Sequence, residues 1–363
     1  MTDLSARVAL WRTPATHVAI AGYAASTLAP NTLAALRAAP IELIQQPLLG
    51  PDGRVADAAA DADVLISGGV KIDQNVCEQL RRVRFLLRPY VGYDDIDVDA
   101  VTNSGILFAN VPDAFIEEVA NHTMALILGT NRKLLQMDTF VRERRWSAGD
   151  RARQVARPIR RLSKLTLGLV GLGNIARLVL ERARPFGFEF LASDPYVSAE
   201  IAATMGVRLV ELDELLAQSD IVSVHVLLNA ETRGLLDARR VGLMKRGAYL
   251  INTSRGPVIN EADLIEALRS GHLGGAGLDV FEHEPVAADN PLLEMPNVIL
   301  APHLASYSEE GDARHQERIA EIALQVVGGG LPERKVVVNK NLYDQLEAQL
   351  QPAQAATASA TAG

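Results

Sequence analysis

Short apolar runs separated by helix-length spacers dominate the first part of the chain: HVAIA from 17, IELI from 41, DVLIS from 63, RFLL from 84 and ILFAN from 106. Each is too short for a helix and is bounded by polar or turn residues, which predicts strands of a parallel sheet with helical crossovers. The pattern pauses over IEEVANHTMALILGTNRKLLQMDTFVRERRW, which reads as one long helical segment, and then restarts. TLGLVG from 166, FEFLAS from 188, IVSVHV from 221, AYLINTS from 248, GAGLDV from 275 and NVILAPH from 297 predict a second sheet. The expected fold is α/β, with two doubly wound parallel-sheet domains in series. A last helical stretch over 309–327 ends in GGG, and ERKVVVNKNL follows as an extended return. From Gln351 the small, polar QPAQAATASATAG has nothing to bury and is expected to be disordered.

At 363 residues the chain can bury two cores, and 48% hydrophobic but only 5% aromatic residues suit Val-, Leu-, Ile- and Ala-rich elements. The formal charge of −8 argues against a nucleic-acid partner. One basic island, RERRWSAGDRARQVARPIRR at 142–161, carries eight arginines with only Trp146 interleaved, and reads as a solvated connector or an oligomer contact. Cys77 is the only cysteine, which excludes an intrachain disulfide and a paired-cysteine metal site. No Cys/His/acid set has metal spacing, so no metal is expected. Apolar runs stay far below the roughly 18 residues that span a bilayer, and the start lacks the apolar core of a signal peptide. No membrane partner and a cytoplasmic location are therefore expected.

LTLGLVGLGNIARLVLERARPFGFEFLASDPY places Gly171-x-Gly173-x-x-Ala176 between an apolar strand and an amphipathic helix. The first glycine permits a tight turn and the second lets backbone approach a pyrophosphate. A small third residue lets helix and strand pack closely, at a helix start that favours anions. Gly171, Gly173, Asn174 and Ile175 are the expected dinucleotide contacts, with Asp194 at the end of the next strand. A carboxylate there bonds ribose hydroxyls and repels a 2′-phosphate, so NAD is expected over NADP. His225, ending another strand, is expected to line the adenine side.

Three further polar stations fall at strand ends, where ligands bind in open α/β sheets: Arg255 in INTSRG, the acids of LDVFEHEP, and His303 in LAPHLAS. An arginine fork can hold a carboxylate and polarise a neighbouring carbonyl, while a histidine beside an acid gives the carbonyl oxygen its proton as hydride reaches carbon. A neighbouring carboxylate favours the protonated imidazole. Strand alternation puts Glu282 and Glu284 on one face and does not choose between them.

From about Arg88 to Val338 the chain resembles the D-isomer-specific 2-hydroxyacid dehydrogenases, through VGYDDIDVDAV, NVPDAFIEEVANHTMALIL, GLVGLGNIA, INTSRGPVINEADLIEALRSGHLGGAGLDVFEHEP and NPLLEMPNVILAPH. The resemblance implies Arg255, Glu284 and His303 as the catalytic residues, with Glu284 tuning His303. It implies Asp279 and Thr253 at the nicotinamide, and Val91 and Gly92 as a loop whose N–H groups hold the substrate carboxylate. It also implies a flavodoxin-like substrate-binding domain over 1–115 with a return over 303–345, a Rossmann NAD-binding domain over 116–302, and a disordered tail over 346–363. A cleft that closes on binding and a homodimer built through the coenzyme domain belong to the same expectation.

HLASYSEE and GGGLPERKVVVNKNL resemble the C-terminal-binding-protein-like and phosphoglycerate-dehydrogenase-like subgroup; in the C-terminal-binding-protein co-repressors an arginine equivalent to Arg88 approaches the substrate. The chain departs from the family pattern at Tyr90, Asn121, Leu227, Asn229 and Ser306. The function expected is NAD-dependent interconversion of a small 2-oxo acid and its D-2-hydroxy acid. The rival is an NAD(H)-sensing, partner-binding dimer of co-repressor type. A formate dehydrogenase of the same fold would carry glutamine in place of Glu284.

Overall fold

The structure, a computed structural model, describes the backbone of residues 4–22 and 27–360 and the side chains of residues 8–22 and 27–350. The chain divides into two compact units, Met1–Ala114 with Glu309–Gly363, and Phe115–Ser308.

The first unit holds β1 (His17–Gly22), β2 (Glu42–Gln46), β3 (Val64–Gly68), β4 (Phe85–Leu87) and β5 (Leu107–Ala109), in the order β2-β1-β3-β4-β5. All four pairings are parallel. The strands β3, β4 and β5 are buried at every position, which is why they read as unbroken apolar runs rather than alternating ones. Ala19, Leu65, Leu86 and Phe108 belong to the core on one face. The strand order reverses beside β1, so loops from the carboxyl ends of β1 and β3 diverge there and leave a crevice.

The segment expected to return as a strand does so at one residue, Val337, which bridges antiparallel to Ala109. Beyond it the Asn339 side chain takes over the edge of β5, accepting from Phe108 N at 2.9 Å and donating to Ile106 O at 2.9 Å. A helix, Lys340–Ala360, starts there and runs through residues 346–360 of the tail expected to be disordered. Leu342, Tyr343 and Leu346 recur at helical spacing and are buried, so residues 346–350 have a face to pack. The backbone stays helical to Ala360, and residues 361–363 lie outside the described residues.

The second unit holds β6 (Thr166–Val170), β7 (Glu189–Ser193), β8 (Arg208–Leu209), β9 (Ile221–Val224), β10 (Tyr249–Asn252), β11 (Gly275–Leu278) and β12 (Val298–Leu300). Their order is β12-β11-β10-β9-β6-β7-β8, again with every pairing parallel. Only β8 was not foreseen, because two residues are too few to show a pattern. The long helical segment breaks at Lys133, whose φ of 52° lies in the left-handed region, giving helices Ile116–Arg132 and Leu134–Arg142. No glycine or proline marks that break in the sequence.

The unit extends to Ser308 rather than ending at residue 302. The reason is local: His303 N donates to Asp279 O at 2.8 Å, and Leu304 N and Ala305 N donate to the two Asp279 carboxylate oxygens at 2.9 Å each. Among the described residues no helix is long and apolar enough to cross a membrane.

Candidate active site

Beyond β6 the chain turns sharply at Gly171, whose φ is 90°; a Cβ there would stand 2.8 Å from His225 O. Gly173 precedes the helix Asn174–Ala183, and a Cβ built on it meets nothing within 4 Å. No side chain caps this helix, so its first N–H groups face open space beside exposed Gly173 and Asn174, with Ile175 half-buried and Ala176 buried. Such a cradle fits the pyrophosphate of a dinucleotide. Asp194 braces it: one carboxylate oxygen accepts from Leu172 N at 2.8 Å and the other from Tyr196 N at 2.8 Å. His225, bonded to Ser223 Oγ at 2.9 Å, is half-buried, and burial pushes its ring down to about 4, so it is neutral near pH 7.

The loop after β10 is fixed by Asn252. Its Oδ1 accepts from Ser254 N and Oγ, at 3.0 and 2.8 Å, while its Nδ2 donates to Arg255 O at 2.9 Å. Arg255 is half-buried and its Nη1 donates to Ser254 O at 2.8 Å. Next to it, a Cβ on Gly256 would fall 1.8 Å from Phe281 O and 2.5 Å from Glu282 N. Only glycine lets the arginine loop lie against the loop that follows β11. Buried Thr253 shares a hydrogen bond of 2.8 Å with Thr123.

Glu284 takes Phe281 N on Oε1 at 2.9 Å and meets His303 Nδ1 through Oε2 at 2.6 Å. Glu282 turns the other way: its carboxylate accepts from Glu261 N at 3.1 Å, and its own N–H donates to Glu261 Oε2 at 3.0 Å. The choice that alternation left open is therefore made by these contacts. The Glu284 and His303 side chains remain 34% and 45% exposed, so the pair is held yet open to a ligand. His303 has a φ of 55°, uncommon for a residue with a Cβ and costing on the order of 1–3 kcal/mol. The three hydrogen bonds to Asp279, which is only 1% exposed, offset that strain.

In the first unit Arg88 is buried, with Nε donating to Gly92 O at 3.1 Å and Nη1 standing 3.1 Å from Asp95 Oδ2. Asn110 Nδ2 donates to Val91 O at 2.7 Å. The carbonyls of Val91 and Gly92 are thus both engaged from behind. Tyr90 fills the position where the family pattern has glycine: its ring lies 5.7 Å from that of His315, and its hydroxyl is 3.2 Å from Thr27 Oγ1.

Residues 124–305 match the model of the D-isomer specific 2-hydroxyacid dehydrogenase, NAD binding domain. The glyoxylate reductase of Korarchaeum cryptofilum is 38% identical over 287 residues, which cover 78% of this chain and 85% of that protein. The chain belongs to the D-isomer-specific 2-hydroxyacid dehydrogenases. Another member, the D-3-phosphoglycerate dehydrogenase of Mycobacterium tuberculosis H37Rv, is 36% identical over 312 residues, 85% of this chain but 57% of that relative. The chain thus spans little more than half the length of such relatives. The D-lactate dehydrogenase of Aquifex aeolicus, solved with NAD and lactic acid, is similar at a TM-score of 0.77 and 28% identity, over 88% of this chain and 98% of that one.

For this family member the sequence reading missed the residues that act through space. Gly256, Asn252 and Asp95 carry no local signature of their roles. His122 has Nε2 3.8 Å from Asp279 Oδ1, and that nitrogen is buried with no hydrogen-bond partner. His315 is buried with its Nε2 on Pro89 O. The basic island is partly neutralised: Arg142 meets Asp138, Arg145 meets Asp150, and Arg160 meets Asp220. Burial would push the Asp220 carboxyl up, but the Thr166 N–H, Arg160 and Lys245 together hold it below the usual range.

Proposed function

We propose that this chain is an NAD-dependent oxidoreductase that interconverts a small 2-oxo acid and the corresponding D-2-hydroxy acid. The observation that carries the reading is the half-open His303–Glu284 pair at 2.6 Å, with the Arg255 loop laid against Phe281 and Glu282 through Gly256. NAD, when bound, supplies the chemistry of hydride transfer to or from the substrate carbon. Asp194 would hold the ribose hydroxyls, and the uncapped start of the helix Asn174–Ala183 would receive the pyrophosphate. Thr253 and Asp279 would flank the nicotinamide, and His225 would line the adenine side.

With Nδ1 bound to Glu284, His303 presents Nε2 to the carbonyl oxygen and donates its proton in reduction; in oxidation it takes the proton back. Arg255 holds the substrate carboxylate and polarises the adjoining carbonyl. Val91 and Gly92 add backbone N–H groups to the carboxylate, their carbonyls already taken by Asn110 and Arg88. Arg88 acts by shaping this loop.

A homodimer through the coenzyme unit fits the apolar side chains exposed on one segment, Leu134 at 53%, Leu135 at 46%, Val141 at 51% and Trp146 at 66%. The cytoplasm is the compartment proposed, where the buried thiol of Cys77 stays reduced.

The test is oxidation of NADH and of NADPH by the purified protein with glyoxylate, hydroxypyruvate, pyruvate, 2-oxoglutarate and branched 2-oxo acids. Efficient NADH-linked reduction of at least one is expected, with NADPH clearly poorer. Tight NADH binding without turnover on any of them would contradict the reading.

A further inference from the structure

The relatives include enzymes named for a phosphorylated substrate and one named for glyoxylate, and the first sheet bears on which chemistry this chain accepts. Two loops leave the carboxyl ends of the neighbouring strands β3 and β4, over residues 69–73 and 88–97, the second ending at the helix Val98–Asn103. They carry two cations, Lys71 and Arg88, against four acids, Asp73, Asp94, Asp95 and Asp97, a balance of −2.

Neither cation stands clear of an acid. Lys71 Nζ lies 3.7 Å from Asp73, and buried Arg88 lies 3.1 Å from Asp95 while also bonding Gly92 O. Two of the acids are built into the fold: Asp73 accepts from Val76 N and Asp97 from Ala100 N, each capping a helix. Their charge cannot be dropped without loosening those helices.

At the same sheet edge opens a cavity of about 570 Å³, lined by Gly22, Gln45, Gln46, Pro47, Leu48, Leu49 and Val70. None of these side chains is charged. Gln46 Nε2 is buried there without a hydrogen-bond partner, a donor suited to a neutral hydroxyl or carbonyl.

We propose that the substrate carries no charge beyond its carboxylate: the chain reduces short, unphosphorylated 2-oxo acids and discriminates against phosphorylated ones. The inference rests on the functional reading above, in which Val91 and Gly92 of the same acidic loop hold the substrate carboxylate. A phosphate dianion on the tail meets the net negative charge of these loops. The repulsion acts over a Debye length of about 8 Å at physiological ionic strength, so added salt weakens it.

The experiment is kcat/KM with NADH for glyoxylate, hydroxypyruvate and 3-phosphohydroxypyruvate at low and high salt, for the wild type, Asp95→Asn and Asp94→Asn. Expected for the wild type is a value for 3-phosphohydroxypyruvate at least about tenfold below that for hydroxypyruvate, the gap narrowing with salt. Asp95→Asn, which releases Arg88 from its ion pair, is expected to raise the phosphorylated compound several-fold relative to hydroxypyruvate. Exposed Asp94→Asn shifts the ratio the same way by less, and decides the matter if Asp95→Asn does not fold. Equal or better use of the phosphorylated compound by the wild type overturns the inference while leaving the functional reading intact. So does a ratio unmoved in the folded variants. Turnover of none of the three, with NADH bound, defeats the functional reading and this inference with it.

Discussion

The two sheets of this molecule share one architecture and use the ends of their strands in opposite ways. In the second unit the polar side chains beyond β10, β11 and β12 stay partly open, His303 at 45% and Glu284 at 34%, and hold each other at 2.6 Å. In the first unit Arg88, beyond β4, is buried; its Nε donates to Gly92 O of its own loop and its Nη1 lies 3.1 Å from Asp95 as an ion pair. A doubly wound sheet delivers side chains to one crevice in either case. Whether they act as reagents or as scaffolding depends on what the adjoining loop takes from them. Asp279 accepts backbone N–H groups and leaves the His303 ring exposed, whereas Asp95 takes the guanidinium itself.

The sharpest way to break this contrast is Gly256→Ala. With a Cβ placed 1.8 Å from Phe281 O, the loop bearing Arg255 must move off the loop bearing Glu284. The expected outcome is a fall in kcat of about 10²-fold or more, since misplacing a catalytic group by about 1 Å costs that much. Steady-state kinetics with NADH that gave wild-type turnover would show that the close approach is incidental.

Arg88→Gln probes the scaffolding side. Losing one partner of a mostly buried pair should cost about 1–3 kcal/mol and lower the melting temperature, while KM rises and kcat stays within a few-fold. A thermal melt beside the kinetics checks this; a collapse of kcat with unchanged KM would move Arg88 among the reagents.

The smallest effect compares half-buried His225 with buried His315. Burial lowers His225 to about 4 and also lowers His315, where the Pro89 carbonyl works in the opposite direction. Each folded-state value lies below the unfolded value near 6.5, so between them the unfolded chain binds more protons and stability rises with pH. For His225 that stability is fully present above about 6.5 and is lost as pH falls toward 4. His225→Asn should flatten the dependence of the urea midpoint on pH between roughly 4.5 and 6.5. An unchanged slope would mean that His225 titrates like a free imidazole.

Much of this was legible in the chain because local pattern and local chemistry agree. Among the described residues eleven of the twelve strands coincide with an apolar run, and Gly171, Gly173 and Asp194 announce a dinucleotide turn by spacing alone. The rest depends on contacts between distant segments. Choosing Glu284 over Glu282 took either the family pattern or the sight of Glu261 capturing Glu282. That Arg88, which the resemblance implies as a substrate group, lies beside Asp95 shows only in the fold. The end of the chain misled because Leu342, Tyr343 and Leu346 had too short a periodic run before the polar tail. Lys133 ended a helix with no glycine or proline to signal it, although its φ of 52° is left-handed.

The central claim, that His303 is the proton donor and that Glu284 and the Asp279 clamp only hold it in place, is tested most directly by His303→Ala. For the 2-oxo acid the wild type reduces best, kcat would be measured beside the Kd of NADH from fluorescence titration. The account predicts kcat down by about 10²-fold or more with NADH affinity within about threefold of wild type. Unchanged kcat in a folded variant that binds NADH normally would contradict it.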